Sequence, residues 1–159
     1  MNDFPFVNGL SNPGGLQLVE YTSIAAVATF PSVNDGVITT APTFVAGQRW
    51  YSVYGSMSKK GFDEGEEETA NGMIWEPEVN IFYPYDHQSV RSLVARMNFH
   101  QFILRLTDQN GFQRLVGTPW QGLTFSYQFS TGQNMGGTRG YALRWKGLLT
   151  AIPPTYTGA

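Results

Sequence analysis

The chain has no cysteine, few charged residues and no long apolar run, and each shortage removes a class of function. Without cysteine there is no disulfide framework, no thiolate metal site and no cysteine nucleophile, and the absence fits any redox compartment. No apolar run approaches the ~18 residues a membrane span needs. The first residues, MNDFPFVNGL, lack a basic stretch followed by an apolar one, so no export signal is expected. Histidine is scarce as well: His87 and His100 stand thirteen residues apart, without metal-ligand spacing. No serine sits in a G-x-S-x-G elbow, and no pair of carboxylates is singled out for acid–base work. The expectation is therefore a non-enzymatic protein with no cofactor and no metal.

Glycine, proline and aromatics are plentiful instead. Eighteen Gly, nine Pro, eleven Phe, eight Tyr and four Trp against 14% charged residues describe many turns joining aromatic and β-branched runs. That composition predicts a mainly β domain, an antiparallel sandwich or barrel with long inter-strand loops. At 159 residues one domain can bury roughly 70% of the surface of its unfolded chain. Residues 1–15, rich in Gly, Pro and Asn, read as an N-terminal arm, and 16–159 as a single β-rich domain.

LQLVEYTSIAAVATF has strand composition, and VITTAPTFVAGQRWYSVYGSM holds two short strand candidates. SKKGFDEGEEETANG reads as a long polar loop, followed by the strand MIWEPEVNIFYPY, where Pro77 argues for an edge or a bulge. One helix is predicted, over about residues 86–98. There Val90, Leu93, Val94 and Met97 recur at helical spacing as a core-packing stripe, and Asp86 or Ser89 stands where a cap is needed. FILRLTDQNGFQRLVGT is a β-hairpin, with Asn110-Gly111 predicted as a type I′ turn. GLTFSYQFS and GYALRWKGLLTAI are two further strands.

Between those two strands, Gly132 and Gly137 have the spacing of a phosphate-cradling loop, but the Lys that should follow is replaced by Thr138. Such a loop works by opening a helix, whose free N–H groups bind the anion. Here Tyr141, Leu143 and Trp145 alternate with Ala142, Arg144 and Lys146, which is a strand pattern. The stretch is predicted to be a long hairpin loop.

Charge is divided along the chain. Residues 1–86 hold eleven acidic and three basic residues, a net of −8; residues 87–159 hold one acidic and seven basic, a net of +6. Either two oppositely charged faces result, or the fold mixes the halves. The acidic cluster Asp63, Glu64, Glu66, Glu67 and Glu68 has contiguous glutamates and no flanking helices, unlike an EF-hand calcium loop. Five carboxylates so close together repel one another and favour compensation by cations or a basic partner. Phe112, Trp120 and Tyr127 are interleaved with basic residues as if to stack bases, but the −8 of the first half argues against a free-standing nucleic-acid binder.

The succession GQRWYSVYG, an acidic stretch, NGMIWEPEVNIF, one helix, FILRLTDQNGFQRLVGTPWQGLTFSYQFSTG and RGYALRWKGLLTAIPPTY resembles structural proteins of tailed-phage and prophage virions, of the tail-tube or head-to-tail connector type. The resemblance spans roughly residues 47–156 and rests on hairpin architecture. It implies a protein made in the host cytoplasm that self-assembles into rings or a tube, contacts neighbouring virion proteins and lets DNA pass without sequence-specific binding. Under it, segments 56–72 and 130–140 are contact arms, and Asp63, Glu64, Glu66, Glu67, Glu68, Met135, Arg139, Arg144 and Lys146 are candidate assembly contacts. The alternative is a β-sandwich module binding carbohydrate or protein, with Trp50, Trp75, Trp120 and Trp145 as a stacking platform. A hydrolase on a β-scaffold comes third.

Overall fold

The computed structural model describes residues 13–56 and 59–158. The first twelve residues of the expected N-terminal arm, together with Met57 and Ser58, lie outside the described residues. The chain begins with β1 (Leu16–Ser23), a single 3-10 turn (Ile24–Ala26) and four short strands: β2 (Val27–Thr29), β3 (Val37–Ile38), β4 (Thr43–Phe44) and β5 (Tyr51–Val53). Two long strands follow, β6 (Lys60–Thr69) and β7 (Gly72–Tyr83), then the helix α1 (Gln88–Met97). The chain closes with β8 (Gln101–Asp108), β9 (Gln113–Val116), β10 (Leu123–Ser130), β11 (Gly140–Lys146) and β12 (Thr155–Tyr156).

The fold is mainly β, sandwich-like, with one helix. The main sheet runs β3-β12-β9-β8-β10-β11-β7-β6, with β1 added along β8 and β5 along β1. All its ladders are antiparallel except β12–β3. The sheet folds over: Tyr21 of β1 lies 6.2 Å from Trp145 of β11, although β8 and β10 separate those strands in the ladder. At the opening between β1 and β6, Lys60 Nζ donates to the Gln17 carbonyl at 2.6 Å.

The main core fills the interior between Leu16 and Val19 of β1, Phe102, Leu104 and Leu106 of β8, and Phe125, Leu143 and Trp145 opposite, with Val94 and Met97 of α1 against one side. The other face of β8 carries Ile103, which joins Ile38, Leu115 and Tyr156 in a second core. Burial on both faces explains the unbroken apolar run FIL at the start of β8, since a strand with one wet face would alternate. On that second face Arg105 donates to Glu20 at 2.6 Å and lies over the Trp50 and Tyr156 rings.

Four local expectations are corrected. The stretch expected as a polar loop is mostly strand: β6 pairs with β7 without a break from Lys60↔Ile81 to Thr69↔Gly72. Its sequence has no apolar alternation, and the template is the partner strand. The β8–β9 hairpin is present, but Asn110-Gly111 is not a type I′ turn, because only Gly111 has positive φ (81°). The Asp108 carboxylate accepts the N–H groups of Asn110 and Phe112 at 2.9 Å each, which holds the turn in a three-residue form with Gly111 alone in the left-handed region.

Pro77 lies neither on the outermost strand nor at a bulge. The β11 ladder ends at Lys146↔Glu78, and the Pro77 carbonyl accepts from Gly147 beyond that end. Its ring nitrogen points to the same side, where the regular ladder has stopped and an N–H would have no regular ladder partner. Finally, α1 begins at His87 with no side-chain cap, and Leu93 of the expected core stripe is 40% exposed.

Candidate functional site

Beyond the end of β11, strands β6 and β7 continue as a two-stranded arm, tied to the body on its β7 side by the Trp75–Leu149 bridge. Residues directly opposite in a ladder share a face, so register assigns every side chain. Phe62, Glu64, Glu66 and Glu68 share theirs with Val79, Pro77, Trp75 and Met73. Val79 is buried, and Phe62 and Trp75 pack against the main core, so this face turns from core to solvent as it leaves the body. The opposite face carries Asp63, Gly65 and Glu67 beside Glu78, Glu76 and Ile74. The five acidic candidates are thus brought together on one exposed strand. Burial pushes the Glu64 carboxyl above its ordinary value, Arg114 pulls it part of the way back, and the Glu66 charge adds a smaller push upward.

The basic candidates are not on the arm's free part. Arg144 donates to Glu78 at 2.7 Å, and Lys146 lies 3.6 Å from Glu76 and 4.0 Å from Glu78. With Asn80 Nδ2 also donating at 2.8 Å, the Glu78 carboxyl is held below its ordinary value, chiefly by Arg144. Arg139 donates to Asp86 at 2.8 Å, and the Tyr141 hydroxyl donates to the same carboxylate at 2.7 Å. Asp86, expected as a helix cap, is instead the tie between the foot of the β10–β11 loop and the start of α1. These pairs, with Arg105–Glu20, show the fold mixing the acidic and basic halves.

The glycine-rich stretch is a hairpin loop, closed by Ser130↔Gly140. Within it Gly137 N–H donates to Asn134 O, and a Cβ added at Gly132 would come 3.1 Å from Gly137 Cα. The two glycines that mimic a phosphate loop therefore sit back to back and close the loop on itself. Met135 stands fully exposed at its tip.

Three features escaped the sequence reading. Met73, 41% exposed, is an apolar side chain among the carboxylates of the arm. Tyr54, Tyr83 and Tyr85 form a cluster with ring centroids 5.6–6.4 Å apart, beside an apolar cleft of about 280 Å³ between α1 and β5. No histidine or carboxylate lines that cleft. Phe99, just past the α1 C-terminus, has φ of 61° and is 78% exposed. Asn71-Gly72 was the available signal for the arm's turn; nothing in the sequence links Tyr54 to Tyr83.

The four tryptophans do not form a platform. Trp145 is fully buried, Trp75 packs on the main core and Trp50 on the second, and Trp120 is 79% exposed with Phe30 at its edge. Among the described residues no group of three His, Asp or Glu is placed to hold a metal ion, and no helix is long and apolar enough to cross a membrane. The fold and site define a sandwich-like β protein with two projecting hairpin elements. No family model, curated protein or solved structure matches the chain.

Proposed function

We propose that the chain is a non-enzymatic structural protein of a tailed-phage particle that self-associates into rings or a tube around the DNA passage. The observation that carries this reading is the β6–β7 arm. An isolated two-stranded hairpin is marginal in water, yet this one runs outward with its glutamates exposed and Met73 set among them. A neighbouring subunit provides the surface such an arm lacks in a single chain. The Met135 loop is the second contact element. Heterologous contacts of this kind close into rings or propagate as tubes. Acidic side chains around the passage would keep DNA from adhering, since phosphate affinity needs positive charge. The resemblance of hairpin order to virion structural proteins supports the same reading, whereas buried Trp145 disfavours the stacking-platform alternative.

The test is the solution mass of the native chain over a concentration series. Growth to a discrete ring or an open tube is expected, and substituting both tips, Met73→Asp with Met135→Asp, shifts it to higher concentration without lowering the melting temperature. Association unchanged by the tip substitutions would remove the arms from the contact.

A further inference from the structure

The outer edge of β6 is an unpaired strand edge, and the direction of its backbone groups follows from its neighbours. Trp75 exchanges both backbone bonds with Leu149, and Pro77 O accepts from Gly147, so the odd-numbered residues there point toward the 147–149 side. Phe82 does the opposite: its N–H donates to Lys59 O and its carbonyl accepts from Ser56. Opposed residues in an antiparallel ladder either both face each other or both face away. Asp63, Gly65 and Glu67, opposite Glu78, Glu76 and Ile74, therefore spend their N–H and C=O groups on β7. Glu64, Glu66 and Glu68, opposite Pro77, Trp75 and Met73, turn theirs outward, and β6 has no second strand to receive them among the described residues.

Exposed edges are usually blunted by proline, a bulge or charged side chains, lysine above all. From Gly61 to Thr69 the edge has no proline, bulge or lysine and its register is unbroken, so its only guard is negative charge. Glutamates directly opposite glutamates destabilise a ladder, so the edge rejects β6 of a second copy. Most of the chain's own cations are engaged elsewhere: Arg105, Arg139, Arg144 and Lys146 in ion pairs, Lys60 on the Gln17 carbonyl, Arg49 and Lys59 over aromatic rings, while Arg114 pairs with Asp108 and also pulls on Glu64. No ion pair among the described residues reaches Glu64, Glu66 or Glu68, which leaves these carboxylates open to the cations of a basic partner. Side chains on an added strand share the face of the residues they oppose, so cations meet Glu64, Glu66 and Glu68 only at every second position.

We propose that the outer edge of β6 adds an extended segment of a different protein that carries Lys or Arg at alternate positions. Backbone bonds to Glu64, Glu66 and Glu68 supply the docking, and their carboxylates set the spacing. This does not rest on self-association, because a chain that stays monomeric presents the same edge.

The experiment titrates the full chain into two fluorophore-labelled heptapeptides of equal composition, one alternating Lys-Thr and one with its four lysines contiguous, read by anisotropy. The alternating peptide is expected to bind about tenfold more tightly, the scale of two or three exposed ion pairs. Glu66→Pro deletes an outward N–H and spares the β6–β7 ladder, so it should weaken binding several-fold beyond Glu66→Gln, which removes the charge alone. Glu68→Pro, at the next outward position, repeats the comparison if the first variant misfolds, with amide-exchange protection at Glu67 and Ile74 reporting that the arm is intact. Equal binding of the two peptides, no binding, or proline variants that match Glu66→Gln would each overturn strand addition.

Discussion

Asp86 gathers three partners from two elements: the Tyr141 hydroxyl, the Arg139 guanidinium and, at 3.8 Å, Arg91. The Tyr141 and Arg139 hydrogen bonds, in that order, hold its carboxyl below its ordinary value. A carboxylate depressed in the folded state stabilises the fold above its unfolded pKa, about 3.9, and loses that contribution as pH falls below it. The melting temperature of the native chain should therefore drop more steeply on acidification through that range than that of Asp86→Asn, which starts lower. Parallel acid limbs would show that the tie contributes nothing. Phe99 sits where a helix usually ends in glycine, and a bulky residue with φ of 61° is strained. With its ring mostly in solvent, Phe99→Gly gives up little burial and should raise stability by about 1 kcal/mol in denaturant unfolding; a loss of stability would mean that the ring packs usefully after all.

Among the elements, the tip of the arm beyond the Trp75–Leu149 bridge has ladder pairs only between its own two strands. Gly72 has φ of 121°, a conformation side chains rarely adopt, and Thr69 Oγ1 donates to its carbonyl at 2.7 Å. Gly72→Ala should strain the tip by about 1 kcal/mol. Because the tip buries little, the cost should appear as roughly fivefold faster amide exchange at Glu67 and Ile74, with the global melting temperature unchanged. A lowered melting temperature would mean that the arm folds as one unit with the body. The two hairpins also show what sequence can disclose. The β8–β9 hairpin was legible because apolar runs flank Asn110-Gly111 on both sides. Asn71-Gly72 has such a run on one side only, and β6, built of Gly, Asp and Glu, takes its conformation from β7. The helix was legible from its stripe, whereas its missing cap was not: Asp86 and Tyr141, 55 residues apart, meet only through the fold.

For the whole molecule, composition and turn frequency reached the β class, and the run FIL marks β8 as the strand buried on both faces. The fold-over that sets Tyr21 against Trp145 has no local signal, and neither does the pairing of Arg144 with Glu78, 66 residues away. For that reason the acidic half of the candidate site could be read in advance, while the basic half proved to be occupied within the chain. Of the candidate contacts, the arm carboxylates and Met135 stay exposed and outside the ion pairs among the described residues, and the proposed self-association runs through them. It is tested most directly by light scattering on the native chain over a concentration series, beside the Met73→Asp, Met135→Asp variant. Self-association through these elements predicts a mass that rises with concentration to a ring or tube for the native chain, with the variant lagging. A 17.7 kDa particle at every concentration would contradict it.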